Sequence, residues 1–166
     1  KIDVLINNAG IYQNQLEFSE DQIEKTIAVN YHSHFVLTLL LLPLLEKSDD
    51  PRIINFSSMV HAHNLDTDKI WDPINFNGSQ AYSDSKLAMI LFTFKLDRIV
   101  NGITVNCLHP GVINTKLLRQ GWGAGGSAVE KGSVTPVYLA LSCTFACTGE
   151  RVFRCSPPFP GCTRTT

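Results

Sequence analysis

Tyr82 and Lys86 stand four residues apart at the head of an apolar, helix-patterned run, SQAYSDSKLAMILF at 79–92. On a helix, positions i and i+4 share a face, so this spacing brings a phenol and an ammonium together. A free tyrosine titrates at about 10. A neighbouring ammonium favours the phenolate and lowers that value, which makes the tyrosine a usable acid/base near neutral pH. A serine hydroxyl from the end of an adjacent strand could then hold a substrate oxygen. The spacing alone also suits a packed tyrosine beside a lysine whose stem lies along apolar surface. What the pair does therefore depends on which elements surround it.

Those elements can be read from the apolar periodicity. Val4-Leu5-Ile6 is a short buried strand ended by NNAG, and RIINFS at 52–57 is a second strand, rich in β-branched residues. ITVNCL at 103–108 is the third, stopped by HPG, and TGERVF offers a last one. Ser19 with Gln22 forms a capping-box pattern, which predicts a helix from near Glu20 to about Glu46. Within it, FVLTLLLLPLL at 35–45 carries Pro43 and is too short to span a bilayer, so it reads as a buried helix. Leu87, Ile90, Leu91, Phe94 and Leu96 give a broad apolar face to a helix from about Gln80 to Ile99, which Asn101-Gly102 ends. Another helix is expected from Glu130 to Leu141. Residues 59–78, with Trp71, Pro73 and Phe76, form a long loop.

Strand and helix alternating at this spacing imply a parallel α/β sheet with crossovers. In such sheets ligands bind beyond the carboxyl ends of the strands. NNAG, SSM and HPGVINT follow the first three strands, so any site should be built there.

Composition excludes several functions. The chain has 166 residues, a net charge of -1 and 44% hydrophobic residues, which is enough for one domain with a core. No basic stripe suggests nucleic acid or an anionic membrane. Four of the five cysteines (Cys143, Cys147, Cys155 and Cys162) fall in the last stretch without a C-x-x-C pair or a histidine, so no zinc site is expected. Cys107 reads as a small core residue. NFS at 55–57 and NGS at 77–79 match the N-glycosylation pattern by chance, His61 and His63 read as solvated loop histidines, and His32 and His34 lack partner ligands. Lys1 opens directly on a core strand, so the chain reads as a fragment, and no signal peptide precedes it.

Five segments in order resemble the short-chain dehydrogenase/reductases over roughly residues 1–142. LINNAG at 5–10 is similar to the post-strand motif of that family, and NYHSHFVLT at 30–38 to the helix that carries its asparagine. RIINFSS at 52–58 resembles the strand that delivers the serine, AYSDSKLA at 81–88 the catalytic helix, and HPGVINT at 109–115 the Pro-Gly turn beside the nicotinamide. The loop SSMVHAH to NFNGSQAY and KLAMILFT look most like the retinol-dehydrogenase-like branch.

The resemblance implies an α/β fold: a partial Rossmann-type, doubly wound parallel sheet, the second half of the fold. It implies roles residue by residue. Tyr82 would be the general acid/base, and Lys86 would lower its pKa and bind ribose hydroxyls. Ser58 would orient the substrate oxygen, with Ser57 the less favoured candidate. Asn30 would hold a water in a proton relay behind Lys86. Asn8, Ala9 and Gly10 would line the adenosine side, and Pro110, Gly111, Ile113 and Thr115 would fix the nicotinamide ring. The cofactor would be NAD or NADP, and the substrate a hydrophobic alcohol or carbonyl of retinoid, steroid or lipid type. A homodimer through the two long helices is implied as well. A cytoplasmic location is the default expectation.

The family's glycine-rich phosphate loop is absent from this chain. GWGAGG at 121–126 fits G-x-G-x-x-G but follows no strand and opens no β-α unit, so it reads as a flexible part of the substrate loop. Residues 143–166 form a divergent tail rich in Cys, Pro and Thr. These departures make poor NAD(P)H binding and no useful activity the expectation for the chain alone. The alternative function is an inactive fragment that serves as a binding or dimerisation module.

Overall fold

Every residue of the second strand is buried, and that places it inside the sheet with both faces covered. The computed structural model describes residues 1–67, 74–123 and 125–141, together with the backbone of 153–154. Strands β1 (Val4–Asn7), β2 (Arg52–Phe56), β3 (Thr104–His109) and β4 (Phe153–Arg154) form one sheet in the order β1-β2-β3-β4. All pairings are parallel, with Ile6 opposite Ile54, Ile54 opposite Asn106, and Leu108 opposite Phe153. The backbone of 153–154 is the described part of the expected last strand. The rest of the divergent tail, and Trp71 and Pro73 of the long loop, lie outside the described residues.

Because successive strand residues point to opposite faces, the sheet has two apolar layers. Ile53 and Val105 pack with Leu45, Met89, Phe92 and Leu96 on one side. Ile54, Phe56 and Leu108 pack with Leu139 on the other. The first layer is supplied by helices α2 (Ser33–Leu45) and α3 (Gly78–Ile99), the second by α5 (Val129–Leu141). Cys107 is buried, in keeping with a core role.

A buried polar ladder fixes strands to helices within the first layer. Asn7 Nδ2 donates to Thr38 Oγ1 at 2.9 Å and to Asn55 Oδ1 at 2.8 Å. Asn55 Nδ2 donates to Thr93 Oγ1 at 2.9 Å, and Thr93 Oγ1 donates to the Met89 carbonyl at 2.7 Å. Buried amides without such partners would cost stability, so the ladder dictates how α2 and α3 sit over β1 and β2.

The first helical run departs from expectation at its start. It begins at α1 (Lys25–Ile27), passes through a π-helical segment Ala28–His32 and continues as α2. Gln22 adopts φ 60°, and Ser19 closes a tight turn by accepting from the Ile23 N–H, so residues 19–23 cannot be helical. The true cap is Glu24, whose carboxylate accepts from the Thr26 and Ile27 amides at 2.9 and 2.8 Å.

The reading of 35–45 as a buried helix also needs correction. Val36, Leu37, Leu39, Leu40 and Leu44 are exposed, while Asn30, His34, Thr38 and Leu45 turn inward. The whole run Lys25–Leu45 has 21 residues, and by length and composition it is apolar enough to cross a membrane, a test that core helices of soluble proteins also pass.

A helix that the periodicity did not suggest, α4 (Lys116–Trp122), follows the β3 turn. Thr115 caps it by accepting from the Leu118 N–H at 3.2 Å, and Gly123 ends it at φ 86°. Such a short helix offers too few positions for a period to show.

Core and surface leucines should therefore separate sharply. Leu96→Ala, at a fully buried position, should lower unfolding free energy by about 2–5 kcal/mol in urea denaturation. Leu40→Ala, at a position 70% exposed, should cost no more than about 0.5 kcal/mol. Equal losses at the two sites would contradict this packing.

Candidate active site

The carboxyl ends of β1, β2 and β3 open into one cavity of about 1160 Å³. β1 leads into Asn8, Ala9 and Gly10 on its wall, and β2 into Ser57 and Ser58. The turn after β3 contributes Pro110, Gly111 and Ile113, followed by Thr115, and α3 contributes Tyr82 and Lys86. Of the candidate catalytic and cofactor-binding residues named from the sequence, Asn30 alone does not line it. Parallel strands all end on the same side, which is why residues so far apart in sequence converge.

Helix α3 is set by its first turn. The Asn77 side chain caps it by accepting from the Gln80 N–H at 3.0 Å. Gly78 is needed because a Cβ there would lie 2.0 Å from the Gln13 carbonyl oxygen. From this start, Tyr82 and Lys86 reach the cavity on one face, 6% and 4% exposed. Lys86 Nζ donates to the Phe56 carbonyl at 3.1 Å and lies 5.6 Å from the Tyr82 ring centroid.

The two serines are turned differently. Ser57 Oγ donates to the Lys86 carbonyl at 2.8 Å and so ties β2 to α3. The Ser58 hydroxyl accepts from the Val60 N–H at 3.3 Å and lies near enough to the Tyr82 hydroxyl to act on its proton affinity. Only Ser58 meets the phenol.

Burial sets the proton affinities. It lowers Lys86 to about 8, since a desolvated ammonium is disfavoured. It pushes Tyr82 above its ordinary value, with the Ser58 hydroxyl acting the other way. The net direction for Tyr82 is therefore opposite to the lowering expected from the pair: desolvating a phenolate is the largest cause.

Asn30 is fully buried in the middle of the π segment. Its Oδ1 accepts from the Ile11 N–H at 2.8 Å, and its Nδ2 donates to the Ile11 carbonyl at 3.0 Å and to Ser85 Oγ at 3.1 Å. The side chain clamps the segment after β1 to α3, and the Asn30 carbonyl accepts from His34 Nδ1 at 3.1 Å. Thr115 lines the cavity while its hydroxyl caps α4.

Some residues in or against the cavity wall escaped the sequence reading. His109 ends β3 at the cavity, and Trp122 closes it from α4. Tyr12 packs against Tyr82 and Trp122 at centroid distances of 5.7 and 5.1 Å. The available signals were weak: an aromatic two residues after NNAG, and a tryptophan inside GWGAGG. Gly121 and Trp122 of that motif belong to the end of α4, so the motif follows a helix and not a strand. His61 and His63 have ring centroids 6.2 Å apart, and among the described residues no group of three or more His, Cys, Asp or Glu could hold a metal.

This geometry has recognisable relatives. The short chain dehydrogenase family model matches residues 1–122. The chain belongs to the short chain dehydrogenase family. It is 42% identical over 145 residues to human retinol dehydrogenase 13, covering 85% of this chain and 44% of that protein. It is 40% identical over 159 residues to human retinol dehydrogenase 14, covering 86% of this chain and 47% of that one. The chain therefore spans about half the length of these relatives and falls in the retinol-dehydrogenase-like branch of a family of oxidoreductases. The structure of salutaridine reductase from Papaver somniferum shares the fold, with a TM-score of 0.67, 24% identity, and coverage of 85% of this chain and 69% of that one.

The buried lysine of this dehydrogenase chain makes stability depend on pH. Below about 8 Lys86 is charged in the folded and unfolded states alike, and the fold carries the whole cost of burying it. Between about 8 and the ordinary value of 10.5 the folded state sheds the proton first, so stability gains with rising pH. Relative to Lys86→Met, the wild-type chain should gain roughly 1–3 kcal/mol between pH 7 and pH 10 in denaturant titrations. A difference that stays flat or falls would show that the lysine is not desolvated.

Proposed function

We propose that the protein carrying this chain interconverts an alcohol and a carbonyl on a hydrophobic substrate, with NAD or NADP as cofactor. Residues 1–142 would be its dehydrogenase portion. The observation that carries the reading is the meeting of Tyr82, Ser58 and Lys86 on the wall of an apolar cavity at the carboxyl edge of the sheet.

The residues present suit the nicotinamide end of such a cofactor. Pro110 and Gly111, the latter at φ 94°, turn the chain sharply at the end of β3, and Lys86 Nζ lies 3.7 Å from where a Cβ on Gly10 would sit. A bound nicotinamide supplies or accepts the hydride. The chain's own groups do the rest. Ser58 and Tyr82 share the substrate oxygen by hydrogen bonds. In reduction the Tyr82 hydroxyl gives its proton to that oxygen, and in oxidation the phenolate takes it back. The ammonium of Lys86 offsets the charge of the phenolate, and Asn30 holds the segment behind Lys86 in place. Met59, Val60, Leu117 and Val137 give the cavity walls suited to a retinoid-, steroid- or lipid-like body.

The test is cofactor reduction at 340 nm with long-chain alcohols, using this chain fused to an upstream glycine-rich half. Tyr82→Phe should cost on the order of 100-fold or more in kcat, while Ser57→Ala should keep most activity and Ser58→Ala should not. Full activity of Tyr82→Phe would refute the reading.

A second reading, a module that pairs with another copy of the chain, draws on the exposed apolar residues of α2 and α3, among them Leu37, Leu40 and Leu91. Sedimentation should then give a dimer that Leu40→Glu converts to monomer. An unchanged monomer in both proteins would dismiss it.

A further inference from the structure

Three aromatic rings meet at Tyr82, and two of them come from segments to which the acid/base chemistry assigns no role. Tyr12 and Trp122 lie 5.7 and 5.4 Å from the Tyr82 ring, centroid to centroid, and 5.1 Å from each other, all at tilted or edge-on angles. Each ring thus touches both others, an arrangement that edge-to-face attraction favours. Tyr12 is buried, whereas Trp122 is 46% exposed and forms part of the cavity wall.

Helix α4, which carries Trp122, has no fully buried residue, with Leu117 and Leu118 half-buried, and its last turn helps to hold it in place. That turn docks on the segment after β1. Asn14 Nδ2 donates to the Gln120 carbonyl at 3.4 Å, and Gln120 Nε2 donates to Gln13 Oε1 at 3.3 Å. Gly121 permits the approach, since a Cβ there would press on the Tyr12 ring at 3.2 Å. The same segment abuts the start of α3 at Gly78. The docking of α4 and the placement of Tyr82 are therefore joined through Tyr12.

We propose that Tyr12 and Trp122 are positioning residues for Tyr82, wedging its ring and closing its flank so that a substrate oxygen reaches the phenol only from the Ser58 side. The proposal rests on the reading of Tyr82 as the acid/base. The wedge can nevertheless be measured without cofactor or turnover.

The experiment is O-acetylation of tyrosines in the 166-residue chain by N-acetylimidazole, followed residue by residue by peptide mass spectrometry. Trp122→Ala should raise the rate at Tyr82 roughly fivefold or more while Tyr31 and Tyr138 keep their rates, as a local opening requires. Trp122→Phe, which restores a ring, should return Tyr82 to within about twofold of wild type. Should Trp122→Ala fail to fold, Gly121→Ala, which thrusts a methyl at Tyr12, should expose Tyr82 in the same selective way. An unchanged Tyr82 rate, equal reactivity of the Phe and Ala variants, or a rise shared by Tyr31 would each overturn the proposal. A confirmed wedge beside a fully active Tyr82→Phe enzyme would leave the wedge standing and remove the acid/base reading instead.

Discussion

A lysine ammonium held almost entirely out of water is the constraint on which the site depends. Charge is costly to bury unless it finds partners, and Lys86 finds one in the carbonyl that ends β2. Satisfying it requires β2 to stop at Phe56 and α3 to lie close against that end. Ser57 completes the join by donating to the carbonyl of Lys86 itself. The strand therefore cannot slide relative to the helix without breaking both bonds. Ser58, the next residue, is brought to Tyr82 as a consequence.

The same requirement propagates through polar contacts more than through apolar ones. Asn7, Asn55, Thr38 and Thr93 link two strands to two helices, and Asn30 links the segment after β1 to α3. Leucine and isoleucine fill the two layers but would tolerate small shifts, because dispersion contacts are not directional. Hydrogen-bonded amides do not tolerate them. A precise register at the carboxyl edge thus comes from asparagines and threonines that lie within otherwise apolar runs. The π segment around Asn30 fits this picture: it lets the asparagine face the Ile11 backbone while the helix continues.

Much of this was legible in the residue order. Alternating apolar runs, short for strands and long for helices, defined the parallel α/β arrangement, and three post-strand motifs marked one edge as the site. Tyr82 and Lys86 could be named because their chemistry depends on type and local spacing, and Ser58 because RIINFSS resembles the family's serine-bearing strand. The preference for Ser58 over Ser57 came from the family resemblance and not from periodicity, since neighbouring strand residues differ only in which face they meet. The start of the first helix was misread for a related reason: Ser19 caps a turn as readily as a helix, and the positive φ of Gln22 decides which.

What the sequence by itself determined is the order of the elements and the kinds of groups at their ends, because periodicity, capping and turn chemistry act over a few residues. Only the tertiary structure decided the sign of the Tyr82 shift, the clamp made by Asn30, and the ring contacts of Tyr12 and Trp122. Those depend on which distant segments exclude water from a given atom, and desolvation is a property of the assembled fold.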